Sequence, residues 1–283
     1  MKKIKPFPND DNAELHLLAE NKRLGSYPDL RDNLQVVESQ YQAYVKNGGN
    51  PWFIKPCELP DKLQGALEAH YELPPQERLV FIDKYRRDLS PDVCPMCGSF
   101  GTGTLDHYLP KTDYAEFAIF SQNLVPACSC NSLRNTTVKG DAAPKRVIHP
   151  YFDCFLNDRL FKAVFSCEYE APSITVDVVN PAHPNIDVLK FHLDEVMLKN
   201  HIVSWFDKTW SNLHRRPHMK LKHFLPAGEL DSNSMKESVS NYLETKDEEY
   251  DTPNNWWSIF YYGLLMDECR LAVLVEQINA LRE

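Results

Sequence analysis

Apolar residues recur at helical spacing along the first part of the chain. Leu30, Leu34, Val37, Tyr41 and Val45 place a helix over 28–46. The run Asn47-Gly48-Gly49-Asn50-Pro51 ends it. A weaker amphipathic helix is predicted over 12–22 and a short one over 61–70, after Leu59-Pro60. Pro74-Pro75 opens a further helix through Arg87, with Leu79, Ile82 and Tyr85 along one side. His16 and His70 stand alone on these helices and are read as packing or surface residues. The period then shortens. A glycine-rich turn over 98–104 leads into a strand over 105–109, and Leu124-Val125-Pro126 forms a second. A helix starts near Cys130 or Asn131. Tyr114, Phe117, Ile119 and Phe120, in the intervening loop, are expected to pack beneath this unit.

Farther along, strands are predicted over 159–169 and 173–179, the second with Ile174, Val176 and Val178 alternating. A long helix covers 186–215 and breaks at Arg216-Pro217. A short helix over 219–224 and a polar helix over 232–244 follow. The acidic run Asp247-Glu248-Glu249 is read as solvated. The stretch 255–281 is the most apolar in the chain. Asp267, Glu268 and Arg270 argue against a membrane span. A helix apolar on nearly every side must be buried, against its own chain or against a partner. The expected fold class is α+β and mostly helical. It comprises a helical N-terminal region (1–90), a small ββα core (91–153) and a helix-rich C-terminal region (154–283) that includes a possible partner interface.

At 283 residues and 43% hydrophobic content, the chain can bury a substantial core. Its net charge of −9 requires any phosphate contact to come from a local basic patch. Lys111, Arg134, Lys139, Lys145 and Arg146 form the candidate nucleic-acid-binding surface, and Lys84, Arg86 and Arg87 a second cluster. None carries a base-reading motif, so contact with the backbone is expected. No stretch is long and apolar enough to span a membrane, and the start lacks an apolar signal core, so a cytoplasmic protein is expected. Cys57, Cys154, Cys167 and Cys269 are scattered and are expected to be reduced and mostly buried.

The candidate chemistry lies between Cys94 and Asn135. Cys94 and Cys97 open the segment, and Cys128 and Cys130 close it. Four thiolates in two close pairs suit a tetrahedral structural zinc, although C-x-x-C alone also occurs as a redox motif. Between the pairs, Asp106 can bind a hard divalent cation through a carboxylate oxygen. His107 can act as a general base near neutral pH. Asn131 and Asn135 would share one helix face and could reach the same cation; alternatively, Asn131 caps the helix. All these ligands are oxygen, so Mg2+ or Mn2+ is the expected catalytic ion, with Zn2+ structural.

With C-x-x-C, then Leu-Asp-His-Tyr-Leu-Pro-Lys, then Asn-Leu-Val-Pro-Ala-Cys, then Cys-Asn, the segment resembles the HNH nucleases, also called His-Me finger or ββα-metal nucleases. The resemblance implies that His107 activates water, Asp106 binds metal, Asn123 orders the loop holding the base, and Asn131 supplies the final metal ligand. The second cysteine pair is one residue shorter than the usual C-x-x-C, which leaves Asn135 as a rival ligand. The layout is most similar to the HNH subunit of Septu-type and retron antiphage systems. That likeness implies an ABC- or SMC-like ATPase partner, an oligomeric complex and a nucleic-acid substrate, DNA or structured RNA such as tRNA. The segment His149-Pro150-Tyr151 also resembles those proteins and either closes the site or forms a packed turn. A zinc-knuckle adaptor that binds nucleic acid or protein without cutting is the rival reading.

Overall fold

In the computed structural model, which describes residues 1–87 and 91–282, the N-terminal periodicity resolves into α1 (Asp11–Ala19), α2 (Asp29–Asp32), α3 (Leu34–Lys46), α4 (Asp61–Glu72) and α5 (Val80–Arg87). Two expectations change. The helix over 28–46 is interrupted at Asn33, where φ is −109° and ψ is 9°. Pro74-Pro75 opens a turn rather than a helix, with Glu77 and Leu79 at φ 64° and 51°, and α5 begins only at Val80. Leu79 is buried and anchors that turn. His16 is exposed against Glu38, whereas His70 is buried and bonded to Ser26 Oγ at 2.9 Å.

The central unit is a hairpin followed by a helix. β1 (Thr104–His107) pairs antiparallel with β2 (Leu124–Ala127), setting Asp106 opposite Val125 and His107 opposite Leu124. Gly98 and Gly101 take φ 79° and 73° in the turn ahead of β1, a region glycine enters without steric cost. The strand stops at His107 because Leu109 N–H leaves the ladder to donate to the Asn123 side chain, at 2.8 Å. Tyr114, Phe117, Ile119 and Phe120 are all buried in the loop between the strands. α6 (Cys130–Arg134) is one short helix, ended by Asn135 at φ 55°.

Beyond it, β3 (Phe161–Phe165) pairs antiparallel with β4 (Ile174–Val178). The helix expected over 186–215 is broken. α7 (Ile186–His192) passes through a π turn and a 3-10 turn to His201, at φ 61°, before α8 (Ile202–Arg215). α9 (Pro217–Lys220) and α10 (Ser232–Tyr250) follow, and α10 carries the acidic run expected to lie free in solvent. Asp247 of that run instead pairs with Arg159. The apolar C-terminal stretch forms α11 (Trp256–Leu265) and α12 (Glu268–Ala280), with Asp267 capping the second by accepting from Arg270 N.

The resulting α+β architecture is mostly helical, with one apolar core running through all three sequence regions. Trp256, Ile259, Phe260, Tyr261 and Leu264 of α11 are buried within the chain, which decides between the two placements left open for that helix. Trp256 also ties the C-terminal region to the first cysteine pair, its Nε1 donating to Cys97 O at 2.8 Å. No helix among the described residues is long and apolar enough to cross a membrane. The scattered cysteines depart from expectation: Cys154, Cys167 and Cys269 are exposed, and Cys57 is half-buried.

α11 docks on β3 through Gly263. A Cβ at that position would sit 2.1 Å from Ala163 O. Gly263→Ala should therefore destabilise the protein by about 1–3 kcal/mol through overpacking. Urea unfolding of the two proteins measures this, and equal midpoints would contradict the docking.

Candidate functional site

The two cysteine pairs converge. The turn after Cys94 brings Cys97 back beneath it, with Gly98 N–H donating to Cys94 O at 2.9 Å. β2 and the start of α6 deliver Cys128 and Cys130. All four Sγ atoms lie within 4.8 Å of one another, with Cys94 to Cys130 at 3.7 Å and Cys97 to Cys128 at 3.4 Å. A tetrahedral ion bound at about 2.3 Å sets its sulfurs about 3.8 Å apart, so the cluster fits one metal ion. The short C-x-C pair thus delivers both of its sulfurs to the set. Around it, backbone N–H groups of Cys128 and Cys130 point at sulfur, both at 3.4 Å. Asn200 Nδ2 approaches Cys97 Sγ at 3.1 Å and Cys128 Sγ at 3.4 Å, and Ser99 Oγ approaches Cys128 Sγ at 3.2 Å. Hydrogen bonds from Cys130, Cys94 and Cys97, then from Ser99, hold the Cys128 thiol well below its ordinary value. Donors aimed at sulfur stabilise thiolate charge.

His107, at the end of β1, is almost wholly buried. Its Nε2 meets Ala118 O at 2.9 Å. A carbonyl can only accept, so Nε2 carries the proton and Nδ1 keeps its lone pair. Nδ1 makes no hydrogen bond among the described residues. Burial lowers the His107 pKa to about 4, and Lys111 and Arg86 push the same way against Ala118 O and Glu72. The imidazole is therefore neutral at physiological pH.

The loop carrying Ala118 is held by Asn123, which is fully buried. Its Nδ2 donates to Leu109 O at 3.0 Å and Phe117 O at 3.2 Å, while its Oδ1 accepts from Leu109 N and Tyr44 Oη. Tyr44 accepts in turn from His149 Nε2 at 3.0 Å, since His149 Nδ1 is occupied as acceptor by Tyr151 N–H. The His149-Pro150-Tyr151 segment thus packs as a buried turn behind the loop. Burial keeps His149 neutral, its pKa far below the ordinary histidine value.

Asp106 is placed differently from expectation. Its Oδ2 accepts from Arg134 Nη2 at 2.8 Å. Arg134 is buried and also donates to His107 O, Tyr108 O and Thr137 O. Burial leaves the Asp106 pKa raised above its ordinary value, against the opposing pull of the Arg134 guanidinium and the His107 backbone N–H. Asp106 Oδ1 makes no hydrogen bond among the described residues. The residue of α6 that reaches Asp106 is therefore Arg134, one turn along from Asn131. Asn131 Nδ2 donates instead to Thr104 Oγ1 at 3.1 Å, and its Oδ1 accepts from Ser132 N. Asn135 lies past the end of α6 and is exposed, so the two asparagines do not share a helix face. Asp106, Asn131 and Asn135 are therefore not brought together as one set of ligands.

The expected basic surface also divides. Arg134 is internal, and Arg146 forks onto both oxygens of Asp153 at 2.7 and 2.6 Å, so neither faces a ligand. Lys145 pairs with Asp141, and Lys139 lies over the Trp52 ring and donates to Pro51 O. Lys111 bonds Glu72 and sits beside the His107 site. Two neighbours of that site carry no local signal in the sequence, Tyr71, whose ring meets His107 edge-on at 4.2 Å, and Glu72; a third, Arg86, belongs to the second basic cluster. Asn200 is likewise invisible, although an asparagine before a helix break is a reasonable pointer to its position. The side chain of Arg87 lies outside the described residues.

The chain resembles Protein ea31 of Escherichia phage lambda, with 41% identity over 66 residues, covering 23% of this chain. The match spans 22% of that protein's length. No family model matches the chain. No solved structure matches it.

The cysteine cluster should hold one metal ion per chain. Cys97→Ser should lose that ion and lower the melting temperature, because binding and folding are linked at such sites. Elemental analysis of freshly purified, folded protein reads the first effect; a metal-free wild type would contradict the site.

Proposed function

We propose that this protein is a metal-dependent endonuclease of the HNH class, cutting phosphodiester bonds of nucleic acid. The observation that carries the reading is the state of His107: proton fixed on Nε2 by Ala118 O, and Nδ1 left unprotonated, with no hydrogen bond among the described residues. That is the form a general base needs. Here Nδ1 takes a proton from water as the water attacks phosphorus. Asn123 orients the base by holding the loop that carries Ala118. Mg2+ or Mn2+ bound at Asp106 Oδ1 would supply stabilisation of the charge developing on the phosphate and leaving oxygen. Zn2+ is the structural ion read at Cys94, Cys97, Cys128 and Cys130.

The likeness to Septu-type and retron systems extends this reading to an effector nuclease working with an ABC- or SMC-like ATPase. Support for that extension rests on the motif segment and its flanking layout. A zinc-knuckle adaptor that binds without cutting is the second reading, and the Arg134–Asp106 pair favours it, because an arginine already neutralises the carboxylate.

A cleavage assay separates the two. The purified chain, alone and with its ATPase, is incubated with DNA and with tRNA, with and without Mg2+. His107→Ala, with folding confirmed, should cut about 10²–10⁴-fold more slowly. Cleavage at the wild-type rate would remove His107 from the chemistry, and no cleavage by any wild-type preparation would favour the adaptor.

A further inference from the structure

Tyr71 lies at the C-terminal end of α4, against the catalytic hairpin. Its hydroxyl donates to Leu105 O of β1, and its ring packs edge-on against His107 with centroids 4.2 Å apart. Two cations are held over that same ring: Arg86 Cζ at 4.5 Å from the centroid and Lys111 Nζ at 5.0 Å. Arg86 is further fixed by donating to Tyr71 O at 3.0 Å. The two side chains are about three-quarters covered, at 25% and 22% exposure. They come from elements far apart in sequence, α5 and the turn after β1, and meet at the Tyr71 ring.

In a chain of net charge −9, two cations are gathered on one ring beside His107, each with an exposed carboxylate that an anion could displace: Glu72 on Lys111, and Asp83 4.0 Å from Arg86. We propose that Arg86 and Lys111, positioned by Tyr71, grip a phosphate of the nucleic-acid backbone next to His107. This rests on the nuclease reading for its reaction but not for its binding chemistry. A guanidinium can fork onto two phosphate oxygens, while the ammonium supplies a point charge. Lys111 now bonds Glu72, whose side chain is 63% exposed on the end of α4. Glu72 is free to swing away, so a phosphate displaces its carboxylate from Lys111. In the free protein it holds Lys111 in place and repels anions that bind without that exchange.

The test is binding, read separately from cutting. Fluorescence anisotropy follows a duplex DNA and a tRNA against the wild-type chain in buffer without divalent cations, across about 50–200 mM salt. Arg86→Gln with Lys111→Gln should weaken binding to the preferred nucleic acid. The slope of log K against log salt should fall by about 0.9 per lost contact on duplex DNA. Arg86→Lys should retain most of the slope. Glu72→Gln should tighten binding roughly two- to fivefold at low salt, since it removes one competing charge; a purely structural role for these residues gives no such gain. Lys236→Gln, on α10, serves as the remote control. An unchanged slope in the folded double variant overturns the grip, even if the wild type cuts and His107→Ala does not. Binding that depends on Arg86 and Lys111 without any cleavage keeps the grip and removes the nuclease reading. A wild type that binds neither nucleic acid overturns both.

Discussion

The buried amide of Asn123 is the contact on which the arrangement of the candidate site depends. One side chain closes four hydrogen bonds in a place water does not reach, joining the end of β1, the loop over 109–117 and the α3 tyrosine, Tyr44. Stranding any one of those partners costs about 1–3 kcal/mol. The amide therefore acts as a geometric lock as well as a stabilising contact. If the loop shifts, Ala118 O moves, and His107 loses the acceptor that sets its tautomer. His149 and Tyr44 complete the network from behind, each with its polar atoms paired, so the loop cannot relax without unpairing buried groups.

The cysteine cluster imposes a second constraint, at the other end of the hairpin. It fixes the last residue of β2 and the first turn of α6 together, and so determines which face of that five-residue helix meets β1. Thr104 and Asp106 lie on one face of the strand, two residues apart; Asn131 meets the first and Arg134 the second. The absence of one residue in the C-x-C pair is absorbed within the cluster. A helix this short then offers Asp106 a guanidinium. That choice sets a positive charge against the buried Asp106 carboxylate through one of its oxygens.

What could be read from the sequence follows the range of the interactions involved. Helical and alternating periodicity placed most elements, because burial of one face is a local pattern. The cysteine spacing and the Asp106-His107 pair were legible for the same reason. The breaks were not. Asn33, the turn at Glu77–Leu79 and the unwound stretch before His201 depend on packing partners distant in the chain. The basic surface failed most clearly, since charge in a sequence carries no address: Arg134 and Arg146 found carboxylates at Asp106 and Asp153 and turned inward. The ring of Tyr71 and the cations on it lie 15 to 40 residues apart in sequence, and Asn200 reaches its sulfurs from about 70 and 100 residues away. No local rule connects such residues.

The central claim is that His107 is held as a neutral base with its proton on Nε2. Two-bond nitrogen–proton correlation spectra of the 15N-labelled histidine rings, with His107 assigned by comparison with His107→Ala, report the protonation state of each ring nitrogen. At pH 7 the account predicts a protonated Nε2 and an unprotonated Nδ1 for His107. A proton on Nδ1, or a doubly protonated ring at that pH, would contradict it.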